Sequence, residues 1–502
     1  VLEAKEYGRT RRTSAEILVV FQMRTTQLCR AVWLLKPCVS LSTDGIISDM
    51  KSTDKRYVLF ISCAALLALA VWFALWCGSA RYAVLPMLYA SLTAALFGLG
   101  LLRLIPSALS FEEAPDPETS PRNSRRDRRH PWAAIACRVI LLHMALYAIA
   151  YLFDLVKNGY SGGLLDTFRH LWLRTDSPSY LGIAENWYVT EGDARFHIVF
   201  FPLYPILIRI FSLFTGGSAF GGAMLVTTLC AIGSAIAAYE LFALDTDRRT
   251  ALFAATLLCL FPGSIFLLAP MTESLFLLTS LLCMYMCRKK KYLLSGLFGC
   301  LAALTRSVGI LLILPVFMEA AYDYFKGTSI HKRDLVSRLA GCCMIALGTA
   351  LYLIINKAVT GSFFTFMSYQ HDHWSQGLGP FFGTAAYQLQ YFLSSLNTGE
   401  AAMGLTLFLP NLICCLAGLI ILALSAGKLR PSYAAYGLLY YGVTVGCTWL
   451  LSGPRYLAVC FPIAAGLCAL VKGRLPRRIL ALLSLIMMLM YMWAYVLGYS
   501  VY

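Results

Sequence analysis

Charge is scarce in this chain: only 14% of its 502 residues are Asp, Glu, Lys or Arg. A soluble protein of this length needs far more polar surface, so a soluble globular class is excluded. Neither an internal repeat nor a stretch left over for a soluble domain of ordinary size appears along the chain. Paired CxxC motifs are missing, which removes the usual sequence support for structural zinc. Acids are outnumbered, with 26 Asp and Glu against 42 Lys and Arg, but the excess forms no long basic face with stacking aromatics. Nucleic acid is therefore not expected as a partner.

What fills the chain is apolar. Hydrophobic residues make up 59% of it, and its mean hydropathy is +0.68. Runs long enough to cross a bilayer, which takes roughly 20 residues, recur from Tyr57 to the C-terminus. The 17 cysteines fall mostly inside these runs, as in Cys342-Cys343 and Cys414-Cys415, where they read as small hydrophobes and not as a disulfide framework. Lys and Arg collect instead in short connectors: Arg122 to Arg129, Arg288 to Lys291, Lys326 to Arg338 and Lys472 to Arg478. Such clusters mark cytoplasmic loops of an integral, multi-pass membrane protein.

The expected organisation follows. Residues 1–56 are mixed and basic, with apolar runs at Ile17 to Phe21 and Ala31 to Leu35 that are too short to span. Because Met50 to Arg56 has the look of a bacterial membrane-protein start, residues 1–49 read as a cytoplasmic tail or as sequence upstream of the true start. Two spans occupy 57–107, and a Pro-rich basic linker covers 108–131 as a cytoplasmic hinge. The remainder, 132–502, forms the main transmembrane domain, with a large first external loop over 155–196. The total comes to about thirteen helices. Residues 288–325 are read as two short crossings broken near Thr305-Arg306-Ser307, because one crossing would put Lys326 to Arg338 outside. Between Phe200 and Arg249, two apolar segments are visible where the charge pattern needs an odd number of crossings, so one segment is re-entrant or split.

With this topology, Asp176, Glu273, Arg306, the run Gln370-His-Asp-His-Trp374 and Arg455 share one face of the membrane. Acids and arginines at a single lipid–water boundary suit a phosphorylated lipid, since a guanidinium presents a planar fork of donors to phosphate oxygens. The loop run Thr175-Asp176-Ser-Pro-Ser-Tyr-Leu-Gly-Ile-Ala-Glu185, with Glu191 beyond it, leads into Phe200-Phe-Pro-Leu-Tyr-Pro205 and has the character of a reaction site.

That run resembles the W-D-x-x-x-[YF]-x-x-I-A-E and F-F-P-x-[YF]-P elements of the PIG-V-type mannosyltransferases, polytopic enzymes of the GT-C glycosyltransferase class. Four further motifs follow in that family's order. Phe261-Pro262 through Thr272-Glu273-Ser-Leu-Phe276 is similar to its Pro-break and S-E-[SA]-L-F element. Ala303-Leu-Thr-Arg306 is similar to its Arg at a helix break, and Tyr369-Gln370 with Trp374 to its Q-x-x-W. Ser452-Gly-Pro-Arg455-Tyr456 with Phe461-Pro462 resembles its S-x-x-R-Y and F-P. The resemblance spans roughly 130–470 and departs at two positions: Thr175 stands where an aromatic is usual, and Trp187 where glycine is usual.

The resemblance implies an all-α, GT-C-like bundle whose first external loop carries the catalytic Asp176. It implies transfer of a hexose, mannose in that family, from a polyprenyl-phosphate sugar to a lipid-linked or glycan acceptor on the outer face of the cell membrane, with inversion. A polyprenyl phosphate leaves as a stable anion, so a single carboxylate suffices as general base for the acceptor. Arg306 and Arg455 are expected on the donor phosphate. Glu185, Glu273, Gln370, Trp374 and Tyr456 complete the expected substrate-binding set.

Competing readings stand beside these. Asp176 and Glu273 are also placed to cap helices. Glu185 either orients its loop or holds a divalent cation, and no cofactor is otherwise implied. Arg306 has the alternative of reaching lipid headgroups. Trp374 equally suits an interfacial belt. His371 and His373 read as exposed loop residues, not a metal pair. A lipid or glycolipid transporter is the rival class, and it predicts an inverted repeat with ionisable groups near mid-membrane.

Overall fold

The computed structural model describes residues 52–110, 131–159, 163–325 and 331–502. Residues 1–51 of the expected 1–56 tail, most of the 108–131 linker and residues 326–330 of the basic connector lie outside the described residues. Within them the chain is all-helical, with helix over 81% and no strand.

The helices follow from composition. Helices α1 (Ser52–Ser79) and α2 (Val84–Ser110) are the two expected N-terminal spans. Trp72 and Trp76 of α1 meet the ring of Phe382 edge-on, at 4.9 and 5.3 Å between centroids, and so fasten the pair to the main bundle. Helix α3 (Trp132–Asn158) leads to α4 (Leu164–Trp172) and α5 (Ser177–Asn186). The stretch 155–196 is thus helical over much of its length, where hydropathy alone reads a loop. Short amphipathic helices lack the apolar length that hydropathy detects.

Helix α6 (Leu203–Ser212) follows a 3-10 turn over Asp193–Val199, and the two are bent by 110°. Ten residues rise about 15 Å, half a bilayer, so α6 alone is too short to cross. It doubles back on α7 (Ala219–Phe242), with the Tyr204 hydroxyl 2.8 Å from Thr227 Oγ1. One full-length helix, α7, therefore stands where an odd number of crossings was needed, beside a broken segment.

Breaks recur beyond it. Helix α8 (Arg248–Leu260) stops before Pro262 and gives way to a 3-10 turn over Pro262–Leu267. Helices α9 (Glu273–Arg288) and α10 (Tyr292–Ala303) precede the expected interruption at Arg306, after which a 3-10 turn over Ser307–Leu312 passes into α11 (Ile313–Phe325). Helix α12 (Lys332–Thr360) lies so close to α10 that a Cβ on Gly348 would collide with the Cys300 carbonyl. Small-residue contact of this kind is how membrane helices gain packing without a hydrophobic drive.

The remaining helices are α13 (Thr365–Trp374), α14 (Phe381–Asn397), α15 (Ala401–Ser425), α16 (Pro431–Thr444), α17 (Gly453–Ala458), α18 (Phe461–Leu470) and α19 (Arg474–Val496). Among the described residues, seven helices are long and apolar enough to cross a membrane, or eight if the bent pair is one span. This is the pattern of a polytopic membrane protein. The count of about thirteen read from hydropathy merges full-length helices with shorter apolar ones such as Tyr292–Ala303 and Phe461–Leu470.

Ion pairs gather at both ends of α9. At its C-terminal end, Arg288 grips Asp245 through Nη1 at 2.6 Å and Nη2 at 2.8 Å. Beside them, Arg430 pairs with Glu319 through Nε at 2.5 Å and Nη2 at 2.8 Å, and Ser432 donates to the same carboxylate. The sixteen residues of α9 put this cluster about 24 Å from a second one at Glu273.

Candidate functional site

The second cluster is assembled from four segments far apart in sequence. Asp176 enters at the start of α5, directly after Thr175 at φ 56°, a left-handed conformation unusual for a β-branched residue. Arg174 anchors that turn by donating Nη1 to the Tyr495 and Val496 carbonyls at 2.6 and 3.0 Å. Glu273 is the first residue of α9, where the positive end of the helix dipole favours a carboxylate. Arg306 sits in the extended break after α10, at φ −150°, outside any helical ladder. Arg455 lies in the short helix α17, whose approach is set by Gly263: a Cβ there would overlap the Pro454 carbonyl. Asn411 fixes the same helix by accepting from the Gly453 amide at 2.8 Å.

These four side chains form one hydrogen-bonded chain. Arg455 donates Nη1 to Asp176 Oδ2 and Nε to Glu273 Oε1, both at 2.6 Å. Arg306 donates Nη1 to the same Glu273 oxygen and to Thr272 Oγ1 at 3.1 Å. Ring faces back both cations: Phe266 lies 5.1 Å from the Arg455 guanidinium and Tyr456 lies 5.4 Å from that of Arg306. Glu273 is fully buried, and its Oε2 has no hydrogen-bond partner among the described residues. Two carboxylates balance two guanidiniums, which offsets the cost of burying Glu273 and Arg455 away from water.

The capping alternatives are decided by the side chains. Asp176 occupies the N-cap position of α5 but makes no side-chain cap hydrogen bond, and its carboxylate turns to Arg455. Glu273 gives Oε1 to both arginines, so it holds the cations. Its side chain is fully buried between the two guanidiniums.

Other expected residues lie elsewhere. Glu185 is exposed at the far end of α5. Gln370 donates to Gln376 at 3.2 Å, and Gln376 reaches the Trp449 carbonyl. His371 and His373 are exposed as expected but belong to helix α13, not to a loop. His373 stacks on Phe196 at 4.1 Å. Trp374 stands edge-on to Phe200 at 6.0 Å; Phe200 in turn meets Tyr180 at 5.0 Å, one turn after Asp176 on α5. An aromatic file thus joins α13 to the ionic cluster. No group of three or more His, Cys, Asp or Glu placed to hold a metal ion occurs among the described residues.

Sequence reading missed Thr272, Phe266, Tyr180 and Gly263 as parts of this site. Their signal was present in the two motifs around Asp176 and over Phe261 to Glu273, because irregular backbone at membrane depth persists only where it is buried in protein or lines a cavity.

Fold and site together define a polytopic helical membrane protein with a buried two-acid, two-arginine cluster at one end of α9. No protein-family model, curated protein or solved structure matches the chain.

Proposed function

We propose that this protein is a membrane glycosyltransferase of the GT-C type. It takes a hexose, mannose by the PIG-V resemblance, from a polyprenyl-phosphate donor and passes it to a lipid-linked or glycan acceptor at the extracytoplasmic face of the cell membrane. The observation that carries this reading is the meeting of Asp176, Glu273, Arg306 and Arg455 in one cluster, since each comes from a different one of the motifs similar to that family. Trp187, where the family usually carries glycine, takes a φ of 64°, a conformation glycine favours.

In this reaction the acceptor hydroxyl oxygen attacks the anomeric carbon, and Asp176 takes its proton. The bond from that carbon to the phosphate oxygen breaks, and the phosphate keeps the electron pair. Arg455 and Arg306 stabilise the charge growing on the phosphate. Glu273 keeps both guanidiniums aimed at one place. Attack opposite the leaving group gives inversion.

The test is incubation of the purified protein with polyprenyl-phosphate-mannose and a panel of lipid and glycan acceptors, with products read by mass spectrometry. A mannosylated product that requires Asp176 is expected. Folded protein that transfers nothing to any acceptor would remove the reading.

A further inference from the structure

The ionic cluster has one arm built to let go. The side chain of Asp176 is 32% exposed, against 17% for Arg306, 5% for Arg455 and 1% for Glu273. Asp176 is tied to the cluster through Arg455 Nη1, and no capping bond holds it to α5. Glu273, by contrast, is clamped by both arginines.

Charge balance gives this difference a consequence. As it stands, the cluster carries two negative and two positive groups. A phosphodiester arriving at the arginines adds one more negative charge in a region where buried charges are strongly coupled. Balance at Arg455 is kept when one carboxylate withdraws, and Asp176 is the one with a route to solvent. A carboxylate held at 2.6 Å by a guanidinium is also fixed in place, with that oxygen turned to Arg455 and away from an incoming hydroxyl.

We propose that the donor phosphate and Asp176 compete for Nη1 of Arg455, so that donor binding releases Asp176 as the base and precedes acceptor binding. This rests on the reading of the cluster as a phosphodiester site. In the empty enzyme Asp176 stays paired with Arg455, so an arriving acceptor meets a carboxylate already engaged through Oδ2. With donor in place the phosphate holds Arg455, and Asp176 is free to take the acceptor proton. After transfer, the polyprenyl phosphate departs, Asp176 gives its proton to water, and the pair with Arg455 reforms.

The test is direct titration of polyprenyl-phosphate-mannose into the full-length protein in lipid nanodiscs, with wild type, Asp176→Asn and Asp176→Ala compared. The Asn variant keeps the shape and the Ala variant removes the group, so one checks the other for an effect of folding. Removal of a charge-assisted competitor is expected to tighten binding by about ten- to a hundredfold in both variants. A neutral polyprenol of the same length should bind all three proteins alike. Equal or weaker donor binding in both variants would overturn the exchange and leave the donor class standing. Absence of donor binding in all three proteins would overturn the donor class and the exchange with it.

Discussion

Asp176 and Arg455 are 279 residues apart in the chain, and their side chains meet at 2.6 Å. The pair joins the most exposed member of the ionic cluster to a guanidinium that is almost wholly buried. The more accessible carboxylate of the cluster is thereby held on Arg455, which also grips Glu273, and several outcomes follow from that placement.

Asp176→Asn should lower turnover by about 10²- to 10⁴-fold, the usual range for loss of a general base. The change is isosteric and preserves the helix start at Ser177, so the melting temperature should move little. Steady-state transfer assays on the folded variant provide the measurement. Turnover within a few fold of wild type would take Asp176 out of catalysis.

Glu273→Gln should destabilise the fold more than any other single change in the cluster. It leaves two desolvated guanidiniums facing one another without their shared acid. Breaking a buried pair in this way costs about 3–5 kcal/mol. Thermal unfolding in detergent is the readout, and an unchanged melting temperature would mean that Glu273 does not hold the arginines.

Arg455→Lys and Arg306→Lys should each weaken use of the donor by about ten- to a hundredfold while sparing the acceptor. An ammonium keeps the charge but loses the planar fork that reaches two oxygens at once. Donor and acceptor are varied separately in the kinetics. A defect confined to acceptor KM would assign the arginines to the other substrate.

The two ends of α9 should lie on opposite sides of the membrane. Cysteine at Ser179 is expected to react with an impermeant thiol reagent in intact cells, and cysteine at Lys291 only after lysis. The reverse pattern would invert the topology and move the cluster to the cytoplasmic side.

Much of this was legible in the chain itself. Apolar length marked most of the long helices, because a bilayer imposes one scale on anything that crosses it. The break at Arg306 could be read from the basic residues on either side, since their sidedness requires a turn between them. Helices α4 and α5 could not be read this way, because nine or ten residues of mixed polarity leave no mark in hydropathy. The same limit hid the half-length helix α6 and, with it, the parity of crossings near Phe200.

The candidate site divides along the same line. The residue types and their shared end of the bundle were set by sequence, since uncompensated charges are driven to a boundary and acids and arginines there must find partners. Which acid meets which arginine was decided by tertiary packing alone. Glu273 carries both cations, because the Gly263 approach to Pro454 and the break at Arg306 bring two guanidiniums onto one oxygen. Glu185, equally plausible by type, is exposed two turns along α5 from Asp176, and Gln370 on α13 donates to Gln376. Hydropathy and charge are properties of segments and survive unfolding. A four-way ion pair is a property of distances between segments, and it exists only when the helices are packed.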